Sequence, residues 1–332
     1  MTTASFDPFG PAASPVVLAA LAGLIWLYLR GISRPRIVGE RVGSVRHLLF
    51  ATGVFLFALA FNAPLAPTGQ QLFAAHQIQH LLMRLLGPML VTLAYPWPVL
   101  RAGLPHRWRR ALRDLGNRQA ISFLSRFFTR LDVSFVLLLA SLYLWQVPSL
   151  HNAALAIPAL ALSAHLSMAL SGVLFFAVVF DRRDAPQGAT HGVRIVALIG
   201  VILSHILLGA LTTLKTVVLY TGYDIAGRLR DFAPLADETV GGYTIWVPSS
   251  MVIIAAIILV FNGWNAAEVR RWNARHDWTG SNAAALDFPE TAYELRLKVA
   301  DPNRRMARTL ALAAATMFAI AVITATTLVY AL

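Results

Sequence analysis

The stretch LFAAHQIQHLLMRLLGPMLVTLAY, residues 72–95, decides the fold class. As a helix rising 1.5 Å per residue it is long enough to cross the roughly 30 Å hydrocarbon core of a bilayer. Its one charged side chain is Arg84, yet it carries His76, His80 and Met83. His76 and His80 are four apart and share a helix face, about one turn from each other. Imidazoles in hydrocarbon are unfavourable unless they find partners, which makes them functional candidates.

The rest of the chain reads the same way. Of its 332 residues 57% are hydrophobic and only 13% charged, against about a quarter charged in soluble domains. Eight apolar runs are long enough to span: about 14–30, 46–65, 72–95, 131–147, 155–180, 193–219, 240–262 and 309–331. Lipid admits only helices and closed barrels, and these runs are too long and continuous for barrel strands. The expected fold is therefore all-α, a polytopic transmembrane helical bundle forming a single domain over 1–332. The opening residues MTTASFDPFG lack the charged start of a cleaved signal, so the first run reads as a retained span. The connection 263–308 reads as an amphipathic cytoplasmic element ahead of the last span.

The charges between the runs alternate. Arg30, Arg34, Arg36, Arg41 and Arg46 fill one connection, while 66–71 has no charge. The connection 101–130 holds eight arginines and 148–154 none. In all, 24 of 28 Lys/Arg fall on one side, which the positive-inside rule makes cytoplasmic and which sets both termini in the periplasm. The net charge of +12 thus reflects topology and attraction to anionic membrane lipid, with no nucleic-acid partner expected.

Cysteine is absent, which excludes disulfides, thiolate–zinc sites, iron–sulfur clusters and CxxC copper shuttling. Imidazole and thioether remain. His76, His80, His165 and His205 fall in three separate spans at outer-to-middle depth, Met83 and Met168 follow two of them at i+3, and His151 lies in a charge-free outer connection. Neutral imidazole and thioether are ligands that suit copper, above all Cu(I). Each also has a plainer reading: interhelical hydrogen bonds for the histidines and core filling for the methionines. Met251 is a further thioether at mid-depth, Arg84 reads as a helix clamp or a partner's docking point, and Lys215 as a side chain that snorkels outward. No span-facing carboxylate and no nucleophile–base pair stands out, so an enzyme is not expected.

His76-x-x-x-His80-Leu-Leu-Met83 followed by Gly87-Pro88 resembles the signature of the CtaG family of multi-spanning bacterial cytochrome c oxidase assembly proteins. Trp145-Gln-Val-Pro148-Ser-Leu-His151, His165-Leu, His205-x-x-x-Gly209-Ala210, Tyr220-x-x-Tyr223 and Asp237-Glu-x-x-Gly241-Gly242 continue the pattern in order over about 45–265. The chain departs from it at Gln146, where histidine is expected, at Glu238, where glutamine is expected, and at Arg84 and Lys215, which replace apolar or small residues. The last span also exceeds the seven-helix family core. The resemblance implies an inner-membrane factor for a haem–copper cytochrome c oxidase, with the oxidase subunits as partners. It also implies copper taken from the periplasmic side and passed to the catalytic subunit. The relay expected from the residues has His151 or the outer connection admitting the ion, His76 and His80 holding it, and His165, Met168 and His205 completing or handing on its coordination, with Met83 a further thioether candidate. From the residues alone, a transmembrane b-type cytochrome with bis-histidine haem and a copper permease stay open as alternatives.

Overall fold

The computed structural model describes residues 15–34, 42–62, 64–183, 187–226 and 232–276, with further separate residues between 293 and 319. Two compact units result, 1–257 and 258–332, and every residue of the candidate site lies in the first. Among the described residues the regular structure is helical: α1 (Pro15–Ile32), α2 (Ser44–Phe61), the single turn α3 (Leu65–Gly69) and α4 (Phe73–Leu93). There follow α5 (Trp97–Gly103), α6 (His106–Gly116), α7 (Gln119–Phe128), α8 (Leu131–Leu144) and α9 (Pro148–Ala156). The chain continues through α10 (Pro158–Val179), α11 (His191–Leu214), the short α12 (Gly222–Ala226) and α13 (Pro234–His276).

Four of these helices are long and apolar enough to cross a membrane: α2, α10, α11 and residues 234–272 of α13. Two bent pairs, α4 with α5 at 77° and α7 with α8 at 67°, raise the number to six if each is one span. The expected first span is a shorter apolar helix, and the expected span 309–331 falls largely outside the described residues. Eight spans were expected, and the described residues supply four to six. The expected span at 131–147 is α8, whose fourteen residues do not cross a bilayer alone. Only 28% of α2 and 44% of the apolar stretch of α10 are buried in the protein, and side chains such as Leu48, Phe55, Leu166 and Leu170 are exposed. Outward-facing apolar surface on that scale suits lipid as solvent.

The arginine-rich connection 101–130 is itself helical. In α6, Arg107, Arg109, Arg110 and Arg113 alternate with exposed Trp108, Leu112 and Leu115, the pattern of a helix lying in the membrane interface.

At the centre of the bundle, α4 is not a regular α-helix. Residues Leu82–Leu86 form a π turn. Pro88 has no N–H to offer the Arg84 carbonyl, and the ladder shifts so that the Gly87 N–H bonds to the Leu82 carbonyl instead. α10 packs directly on this turn, at Gly172. A Cβ there would collide with the Arg84 carbonyl oxygen and the Pro88 ring. The absent side chain is what lets α10 approach, and it fixes the height of His165 two turns earlier. Behind the turn, Met83 and Met168 meet in an apolar cluster with Ala60, Leu82, Trp145 and Ala164.

Gly172→Val should cost about 1–3 kcal/mol by overpacking, read as a lowered Tm in detergent; an unchanged Tm contradicts this account of the α4–α10 contact. The absence of cysteine also makes the orientation directly testable. Single cysteines at the exposed positions Thr221 and Ser125 should react from opposite sides of intact cells. Thr221→Cys should take up an impermeant maleimide and Ser125→Cys should not, and the reverse result would invert the topology.

Candidate metal centre

The site is assembled around the first half of α4. The carboxylate of Asp237, in the opening turn of α13, accepts the Phe73 N–H at 2.8 Å and the Ala74 N–H at 3.0 Å. These are donors that the start of α4 leaves without intrahelical partners, and a negative charge is favoured at that pole. One turn on, Gln79 donates to the Ala60 carbonyl at 2.6 Å and locks α4 to α2. His76 and His80 are thereby held on a rigid helix.

Three imidazoles converge. His76, His80 and His165 each offer a nitrogen, and these three atoms lie within 4.8 Å of one another. Ligands on opposite sides of one transition-metal ion stand about 4 Å apart at metal–nitrogen bonds of about 2.0–2.1 Å, so a small side-chain adjustment closes the set. The rings of His76 and His80 are 4.3 Å apart, and those of His80 and His165 6.0 Å. Between them and Trp145 lies a cavity of about 10 Å³, walled on the α9–α10 side by Ala154, Ala161 and Ala164. That is room for about one water molecule or ion.

The hydrogen bonds distinguish the histidines. His76 Nδ1 lies 3.0 Å from the Gly69 carbonyl, which can only accept, so Nδ1 carries the proton and Nε2 keeps a free lone pair. Such an outer hydrogen bond is what orients metal-binding imidazoles. His80 is 2% exposed, and neither of its nitrogens has a hydrogen-bond partner. The cavity that His80 lines has room for the water molecule or ion that would engage it.

His151 joins the group, with its ring 4.9 Å from that of His76, but both its nitrogens are engaged. Nδ1 donates to the Trp145 carbonyl at 3.0 Å and Nε2 accepts the Tyr223 hydroxyl at 2.8 Å. Burial pushes this imidazole, outside the spans on α9, down to about 3, so it is neutral. Phe73 stacks on Tyr220 at 4.3 Å, and these two with Tyr223 cover this end of the pocket.

The other sequence candidates lie apart. His205 bonds its own helix at the Val201 carbonyl and lines a neighbouring cavity with Arg84, reached from the other side of His80. The methionines Met83 and Met168 are fully buried in the apolar cluster that includes Trp145 and Ala164, and do not line the pocket as those two do. Met251 is 67% exposed and faces outward. Among the described residues no carboxylate enters the three-histidine group.

A model of the family described as cytochrome c oxidase caa3 assembly factor (Caa3_CtaG) matches residues 26–267. The chain belongs to that family. Among curated relatives, uncharacterized proteins of Mycobacterium bovis and Mycobacterium tuberculosis are each 26% identical over 318 residues. The alignments cover 92% of this chain but 45% of those proteins, so the chain spans less than half their length. No solved structure matches.

The departures from the CtaG pattern have local explanations. Gln146 pairs its amide with that of Gln77 and accepts the Tyr220 hydroxyl at 3.2 Å, so it tightens the wall beside the pocket. Glu238 and Lys215 form a buried ion pair with each other. Lys215, which the sequence suggested would snorkel to water, instead turns inward because this carboxylate awaits it. Glu238 also accepts the Leu219 and Tyr220 N–H groups at 3.1 and 2.9 Å, fixing the backbone under Tyr220. Roles for Asp237, Glu238, Gln77, Tyr220 and Tyr223 were not read from the sequence. The available signal was an Asp-Glu pair at the head of an apolar run, where a helix begins.

Asp237→Ala should leave the buried Phe73 N–H and the part-buried Ala74 N–H without acceptors, at about 1–3 kcal/mol. The expected readout is faster amide exchange at Phe73 and Ala74 with α10 unaffected; unchanged protection at those amides would refute the capping role.

Proposed function

We propose that this protein acts in the maturation of a haem–copper cytochrome c oxidase, holding copper as cargo in its histidine pocket and handing it to the catalytic subunit. Membership of the CtaG family supports the assembly role. The single observation behind the copper reading is the convergence of His76, His80 and His165 in a pocket that, among the described residues, has no carboxylate and leaves His80 without a hydrogen-bond partner.

The chemistry of the donor set suits Cu(I). Three neutral nitrogens add no charge, and the pocket has room for one ion. Low coordination by neutral ligands allows the exchange between neighbouring sites that a carrier needs. His151 is the entry ligand: a displacement of Tyr223 releases Nε2, whose lone pair then meets the ion. His205, beyond His80, and the thioethers of Met83 and Met168 in the apolar cluster are the onward ligands. With the basic connections in the cytoplasm, the end of the pocket covered by Phe73, Tyr220 and Tyr223 faces the periplasm. Arg84 is buried and does not dock a partner in this reading.

The haem alternative is disfavoured by space. A macrocycle must fit between its two axial imidazoles, and the cavity between these rings is about 10 Å³. The permease alternative is separated by experiment, since a permease loads cells with copper in the absence of any oxidase.

Deletion of the gene should leave oxidase with its haem but depleted of copper and activity, and complementation by His80→Ala should fail to restore them. Normal oxidase in the deletion strain ends the assembly reading. Purified His80→Ala protein should bind Ag(I), a redox-inert stand-in for Cu(I), at least about tenfold more weakly than wild type.

A further inference from the structure

Arg84 is 3% exposed in the interior of the bundle. It donates to the Ser141 carbonyl at 3.0 Å, and its Nε is buried without a partner. The π turn carries it into a cavity of about 10 Å³ lined also by Gln77, His80, His205, Ile245 and Ser249. Among the described residues it makes no ion pair, whereas the buried Lys215 has Glu238. His80 lines both cavities, so a fixed cation stands one imidazole away from the three-histidine pocket.

Three histidines alone do not choose copper. Imidazole suits zinc, nickel and Cu(II) as well, and discrimination must come from something added. Repulsion between fixed charges grows with the charge on the ion, and inside the bundle neither water nor salt screens it fully. Among the described residues no carboxylate lines the histidine pocket to offset it, and Asp237, at the start of α4, is engaged by the Phe73 and Ala74 N–H groups. We propose that Arg84 is a charge filter: it makes the pocket accept a monovalent soft cation and reject divalent ions. The proposal rests on the copper reading above and adds to it a specificity-determining residue outside the ligand set.

The test is titration calorimetry of the full chain in detergent with Ag(I) and Zn(II). Arg84→Gln removes the charge. Ser249→Asp leaves Arg84 in place and supplies a carboxylate lining the same cavity, so it carries the test if the first variant does not fold. Because the repulsion is twice as large for a divalent ion, the gain in affinity for Zn(II) should be about the square of that for Ag(I), about 100-fold against about tenfold. Arg84→Lys, which keeps the charge, should retain the wild-type ratio. Equal gains for both ions, or no gain in either variant while wild type still binds Ag(I), would overturn the filter and leave the copper reading standing. Failure of the wild-type protein to bind Ag(I) would overturn both.

Discussion

Two adjacent carboxylates at the head of α13 hold the pocket together. Asp237 supplies the acceptors that the start of α4 lacks, and Glu238 does the same for the backbone at Leu219 and Tyr220 while neutralising Lys215. Their side chains are 1% and 0% exposed in residue terms, so these bonds form where competition from water is absent. One helix turn thus aligns the ligand-bearing helix and the aromatic cover above it. Without it, the first turn of α4 would fray, and the two histidines just beyond would lose their common face.

A second constraint is the cost of the imidazoles themselves. His76 and His151 are satisfied by carbonyls at the pocket's edge, and each such bond also settles which nitrogen is protonated. His80 has no partner among the described residues, and a buried donor so left is destabilising by about 1–3 kcal/mol until a water molecule or ion in the cavity engages it. A fold retains such a residue where its lone pair is wanted. The small alanines facing it keep the cavity close to the size of one ion, so an imidazole cannot relax there by recruiting a water chain.

Much of this was legible in the residues. Long apolar runs, alternating basic connections and histidines at helical spacing are local signals, and they gave the class of fold, the register of α4 and the pairing of His76 with His80. What distance in sequence conceals was not legible. Nothing local says that Ala161, Ala164 and His165 turn to the same side as His76 while His205 turns to the other, since that depends on how closely α10 approaches at Gly172. The bent pairs α4–α5 and α7–α8 were likewise not read, because the bends fall at the ends of the runs 72–95 and 131–147, and α7 lies in what reads as a basic connection. Lys215 and Glu238, each odd by itself against the family pattern, make sense only together, as the two halves of one buried contact.

The π turn at Leu82–Leu86 reaches further than its five residues suggest. A helix advances about 100° per residue around its axis, so one additional residue in a turn re-aims every side chain on one side of it relative to the other. The segment bearing His76 and His80 and the segment after Gly87 therefore present faces that no uninterrupted helix could combine. Evolution of this helix consequently has a switch in Pro88. A donor regained there would let the regular ladder re-form, and the residues before and after the turn would lose their present relative facing.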